Sequence, residues 1–312
     1  MTFKPNLRDV LWMSAGAGLL LAVVLVLLFF HEERDFDTQR ASKAARVECV
    51  DQMRAALTAA SEAEKSAVLA VTDEDSQMFA DRARAATAEV ERGRSALAKL
   101  LEKHGARGES ELLEQFASDF VEFRRVDGEL LALAVKNTNL KAYALTYGAA
   151  TDALEELDSA LSRFVERSAV RPDANEVVRL AFVAQNGALR IHTRLPRHIA
   201  EESDAKMDDI EARMALEDRN VVRALEGMAT LHELHGDPDF DAATASYARL
   251  CELRARIIAL SRENTNVRSL SMSLNQKRKV ALLCQEALTN LRQAIVDEPD
   301  SMSGVEFESK PR

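Results

Sequence analysis

One phrase occurs twice in this chain. "LLALAVKNTNLK" at 130–141 lies over "IIALSRENTNVR" at 257–268, with five of the twelve positions identical and the triplet Asn-Thr-Asn kept in both. Upstream, Phe116, Phe120 and Phe123 fall on Ala243, Tyr247 and Leu250, and "DEDSQM" (73–78) resembles "EESDAKM" (201–207). Downstream, Ala160 and Leu161 fall on Ala287 and Leu288. A unit of about 130 residues is therefore written twice, and such self-similarity fixes architecture before any finer feature does. Whatever the first copy folds into, the second must fold into as well.

Each copy reads as antiparallel helices. Few glycines and prolines, low aromatic content and abundant alanine, leucine, glutamate and arginine favour helix, because these side chains lose little freedom on a helical backbone. Tyr143, Tyr147, Ala150, Leu154, Leu157, Leu161 and Phe164 keep a four–three spacing. So do Leu112, Phe116, Asp119, Phe123, Val126, Leu130 and Leu133, with Asp119 the polar gap. The second copy repeats the first of these seams as Leu270, Leu274, Lys277, Ala281, Cys284, Leu288 and Leu291, with Lys277 as its defect and Cys284 as a core residue. Rows of this period pack against neighbouring helices in a bundle. "RPDAN" (171–175) separates the copies, and Pro196 is expected to kink or break its helix. The expected fold is all-α: two tandem antiparallel four-helix-bundle units, 35–168 and 174–297, and a disordered tail, 298–312. Asn137, Thr138, Asn139 and Asn264, Thr265, Asn266 are expected to form matching helix–helix corners. Asparagine tolerates left-handed backbone, and it accepts bonds from the first free amides of the next helix.

Ahead of the repeats, "LWMSAGAGLLLAVVLVLLFF" (11–30) runs without a charge. At about 1.5 Å per residue it spans about 30 Å, the thickness of a bilayer's hydrocarbon core. No small-residue cleavage site follows it, so an uncleaved transmembrane helix is expected. Lys4 and Arg8 precede the run, whereas Glu32, Glu33, Asp35 and Asp37 follow it. Basic flanks stay inside. This places 1–10 in the cytoplasm and the bulk of the chain in the periplasm, anchored to a bacterial inner membrane. A formal net charge of −10 argues against nucleic acid as a partner. Three scattered cysteines are no disulfide framework.

With anchor, bundle and corner in this order, the chain resembles the four-helix-bundle sensory module of bacterial methyl-accepting chemotaxis receptors. The residues that carry the likeness are "LLALAVKNTNLKAYALTYGAATDALEELDSAL" (130–161), an apolar helix end, a polar corner and a heptad helix. The likeness covers 35–167 well and 175–296 more loosely. It implies a homodimer that binds a small molecule or a partner protein outside the membrane. The family continues into a second membrane span and a cytoplasmic signalling coiled coil, and neither is expected here, where "DEPDSMSGVEFESKPR" follows Val296.

Candidate chemistry is sparse. "HELH" puts His232 and His235 three apart on a helix, whereas zinc-protease helices need four and a further ligand, so no metal is expected. "RIHTRLPRH" gathers Arg190, Arg194, Arg197 and His198 in a stretch, 177–200, with no aspartate or glutamate. Guanidinium forks pair with carboxylates and phosphates, so the strip fits a small anionic ligand; it equally fits the acidic turn "EESDAKMDD" that follows. There is no glycine-framed serine, no phosphate loop and no feature asking for a cofactor. The expected function is non-enzymatic: a sensory-type module for a small ligand or an envelope protein, or else a tethered scaffold.

Overall fold

The computed structural model describes residues 7–231 and 236–298, with side chains from residue 38 onward except that of His104. Among the described residues the structure is helix and short connections, with no strand. The helices are α1 (Leu7–Leu69), α2 (Asp73–His104), α3 (Arg107–Ala134), α4 (Thr138–Tyr147), α5 (Ala149–Ser168), α6 (Ala174–Ala200), α7 (Asp204–Thr230), α8 (Pro238–Glu263) and α9 (Thr265–Met272). A π-helical turn at Ser273–Lys277 then leads into α10 (Arg278–Asp297). The expected span at 11–30 lies within α1, but its side chains are outside the described residues, as are 1–6, 232–235 and 299–312. Among the described residues no helix is long and apolar enough to cross a membrane.

Local chemistry accounts for the helix ends. Asp237 caps α8, its carboxylate accepting from the amides of Asp239 at 2.9 Å and Phe240 at 3.2 Å, with Pro238 in the first turn. Gly236 precedes it at φ 89, a backbone that favours glycine. Of the kink or break expected at Pro196, the break does not occur: α6 runs through it to Ala200. Pro196 stands just ahead of the last turn, and the one backbone bond it forfeits is that from its own position to the carbonyl of His192.

The helices do not group by copy, as the boundaries 35–168 and 174–297 supposed. One compact unit takes the chain up to Ser61, then Arg84–Phe123 and Val280 onward; the other takes Glu62–Ala83 and Arg124–Lys279. In the first, Val50, Met53 and Leu57 of α1, Val90 and Leu97 of α2 and Phe116, Phe120 and Phe123 of α3 share a core. The fourth wall is Cys284, Leu288, Leu291 and Ile295 of α10. The three phenylalanine rings stack at 5.4 and 5.6 Å between centroids. In the second unit, α5 delivers Leu157, Leu161 and Phe164 to a core with α6, α7 and α8. A smaller cluster there joins Val68, Ala80, Leu130 and Leu131. Each copy therefore gives its last helix to the other copy's three. A heptad row shows that a helix has an apolar face, not which neighbour covers it.

The rows themselves differ from expectation at their starts. Tyr147 and Leu274 are 64% and 60% exposed. The buried rows are Thr138, Ala142, Thr146, Ala150 in one copy and Thr265, Ser269, Ser273, Lys277 in the other, before both continue through Leu157, Leu161, Phe164 and Cys284, Leu288, Leu291. A step of four residues turns about 400°, so repeated fours drift off a face by about 40° each. Both copies correct the drift at the same place. One breaks at Gly148, where a Cβ would meet Ala144 O at 2.9 Å, and the other widens into the π-turn.

Candidate functional site

The two corners face each other. Asn137 and Asn264 both adopt the left-handed conformation at φ 52, closing α3 and α8. Their successors cap the opposite copy rather than their own helix. The Thr138 amide donates to Thr265 Oγ1 and the Thr265 amide to Thr138 Oγ1, each at 3.2 Å. Next in line, the Asn139 amide donates to Asn266 Oδ1 at 3.1 Å and the Asn266 amide to Asn139 Oδ1 at 3.2 Å. Asn139 Nδ2 reaches Asn264 Oδ1 at 2.8 Å, and Asn266 Nδ2 reaches Asn137 Oδ1 at 3.0 Å. Helix starts leave free amides that something must satisfy. Here α4 and α9 satisfy one another. Asn264 Nδ2 donates to Glu201 O at 3.0 Å, which ties the α6–α7 turn to the same knot.

The arginine strip lies beside it on α6. The structure brings Arg190 and Arg194 to one oxygen, Glu217 Oε1 on α7, at 3.4 and 3.7 Å. Arg197 is exposed. His198 is fully buried and turned away from the arginines, its Nδ1 2.8 Å from Ser261 Oγ and its Nε2 2.8 Å from Glu211 Oε1. It belongs to the α6–α7–α8 packing, not to a ligand surface. The acidic turn after the strip does find a cation, but from α8: Arg262 reaches Asp208 at 2.5 Å and Glu211 at 2.7 Å. His192 holds the helix break, with Nε2 3.0 Å from Thr146 O.

Two charged groups are legible only in three dimensions. Lys277, in the π-turn, makes a buried ion pair with Asp127 of α3. Glu64 of α1 is buried with them, and its Oε1 has no hydrogen-bond partner. Burial pushes the Glu64 carboxyl above its ordinary range, against a hydrogen bond from Ser273 and the Lys277 charge. The lysine seen as a seam defect is thus the partner of an aspartate 150 residues away. On the other side of this unit, Asp218 Oδ1 accepts from Tyr247 at 2.6 Å and Arg254 at 3.0 Å. Burial opposes the Asp218 charge, yet these bonds outweigh it and hold the carboxyl low, while burial and Asp218 together push the Tyr247 hydroxyl up. Tyr247, Cys251 and Arg254 stand four and three apart on α8 and so share a face; nothing along the chain points to Asp218.

Among the described residues no group of three or more histidine, cysteine or carboxylate side chains is placed to hold a metal; His232 and His235 lie outside them. Cys49, Cys251 and Cys284 are free thiols, and Cys284 is buried in the core. No protein-family model matches the chain, and no curated protein does.

Proposed function

We propose that this chain is a sensory-type helical module, related to chemoreceptor sensor modules, tethered outside the inner membrane by the apolar run at 11–30. It binds a small anionic ligand, or an envelope partner protein, and does no chemistry on it. The observation that carries this reading is the convergence of Arg190 and Arg194 on a single carboxylate oxygen of Glu217, at 3.4 and 3.7 Å. Two guanidinium forks offer more donors than one carboxylate can use, and an incoming carboxylate or phosphate can take the surplus. In support, α1 is helical without interruption from Leu7 to Leu69, so the apolar run passes straight into the first bundle helix.

Thermal melting of the full chain in detergent, with a panel of dicarboxylates and inorganic phosphate, tests the ligand. At least one anion should raise the melting temperature of the wild type and not that of Arg190→Ala or Arg194→Ala. A flat response across the panel sinks the anion reading. A second reading, a rigid scaffold, is favoured by the reciprocal bonding of the two corners, which fixes α4 and α9 to each other. Proximity labelling in cells separates the two, because a scaffold returns one stoichiometric partner and a sensor does not.

A further inference from the structure

Helix α6 carries a second heptad row; its Val178, Phe182 and Leu189 face outward, while Gln185, His192 and Pro196 are half-buried, Gln185 against α5 and His192 against α4. Val178, Phe182, Gln185, Leu189, His192 and Pro196 repeat at intervals of four and three; Val178, Phe182 and Leu189 are 49%, 62% and 49% exposed. The inner face of the same helix is already used, by Val177, Ala181, Ala184, Ala188, Ile191 and Leu195. The duplicated helix shows that this outer row is no requirement of the bundle. The buried positions of α6 correspond one for one to those of α1, Ala181 to Val50, Ala184 to Met53, Ala188 to Leu57 and Ile191 to Ala60. In that register the outer row becomes Val47, which packs against the core, and then Asp51, Arg54, Thr58, Ser61 and Lys65, all polar. One copy kept its polar surface while the other carries an uncharged seam in a chain that is 29% charged.

The rims say what covers it. On the α5 side, Gln185 Nε2 lies 3.4 Å from Asp158 O and from Ser162 Oγ, so exposed Glu155 and Asp158 border the row. On the α7 side it is bordered by Arg190, which leans toward Glu217, and by exposed Arg197. One edge is acidic and the other basic. A two-fold axis along the helix sets the acidic edge of one copy against the basic edge of the next; an axis across the helix sets like against like. From Val178 to Leu189 the exposed part of the row is about 16 Å long. Free helices of that length pair poorly, but α6 is already ordered by its bundle, so pairing incurs little further loss of freedom.

We infer that the outer row of α6 is a parallel, two-fold pairing surface for a second copy of this chain, with Phe182 and Leu189 at its centre. The inference stands independently of the anion reading. Sedimentation velocity of the full chain in detergent should show a dimer. Phe182→Glu with Leu189→Glu should raise its dissociation constant at least about tenfold, as loss of a central apolar anchor does. Thr58→Glu, on the matching face of α1, should leave it unchanged. As a readout that does not depend on the charged variants folding, Phe182→Cys in a chain whose three own cysteines are replaced should cross-link to itself. The inference falls if the wild type is monomeric at tens of micromolar, if a dimer survives both glutamates in a folded chain, or if oxidation joins Val178→Cys to Pro196→Cys instead of Phe182→Cys to itself.

Discussion

Thr138 and Thr265 each hold the other's amide and touch hydroxyl to hydroxyl at 3.2 Å, all of it buried. Removing one hydroxyl strands a buried donor on the other side, which costs about 1–3 kcal/mol; removing both strands two amides but no hydroxyl. Thr138→Val and Thr265→Val should therefore each destabilise the chain by that order, and the double variant by clearly less or more than their sum. Urea denaturation of the four members of the cycle measures the coupling, and strict additivity would show that the corners do not cooperate. Glu64 gives a pH test. Its carboxyl is held above the ordinary range, chiefly by burial, so its contribution is intact below the unfolded value and is lost as pH rises through the folded one. Glu64→Gln makes the neutral form permanent. The variant should melt higher than the wild type at pH 8, with the gap closing toward pH 4; a gap of constant size contradicts the assignment.

Helix pairs meet where glycine lets them. A Cβ on Gly187 of α6 would come within 2.5 Å of Val221 Cγ2 on α7, and one on Gly93 of α2 within 2.6 Å of Met53 Cγ on α1. The distances match but the neighbours do not. Valine is branched at Cβ and stiff, whereas methionine swings its chain aside. Gly187→Ala should cost about 1–3 kcal/mol through overpacking. Gly93→Ala should fall near zero, since alanine regains up to about 1 kcal/mol of helix propensity. Equal losses in thermal melts would mean that both helix pairs are equally rigid. At this scale the sequence was only partly legible. The four–three pattern located the apolar helices and got Leu157, Leu161 and Phe164 right. It placed Leu112 and Asp119 in the α3 seam, where Leu113 and Phe120 are the buried residues. Neighbouring positions on a helix lie about 100° apart, so a row with two apolar candidates per turn has no unique reading until its partner is present.

For the whole molecule, the exchange of last helices makes a sharp prediction. A protease site placed in the connection at 169–173 cuts the chain between its two copies. Because α5 packs with α6, α7 and α8, and α10 with α1, α2 and α3, the halves should stay together on gel filtration after cleavage. Their separation without denaturant would mean that each copy folds as its own bundle. Leu161→Ala, in α5, tests the same point from the core: it should destabilise by about 2–5 kcal/mol and loosen the unit containing α6 and α8. Hydrogen exchange of the full chain reads which amides lose protection.

From the chain alone came the helical class, the duplication, the corners with their left-handed asparagines and the burial of Cys284. All of these rest on local signals: side-chain propensity, period, and the backbone freedom of one residue type. Tertiary structure decided which copy receives each last helix, that the corners cap one another, that Lys277 belongs to Asp127, and that His198 is a core residue. Most of these depend on pairs far apart along the chain, such as His198 with Ser261, 63 residues away, and Lys277 with Asp127, 150 away. A local pattern shows that a face must be covered or a charge matched; only the folded chain supplies the partner.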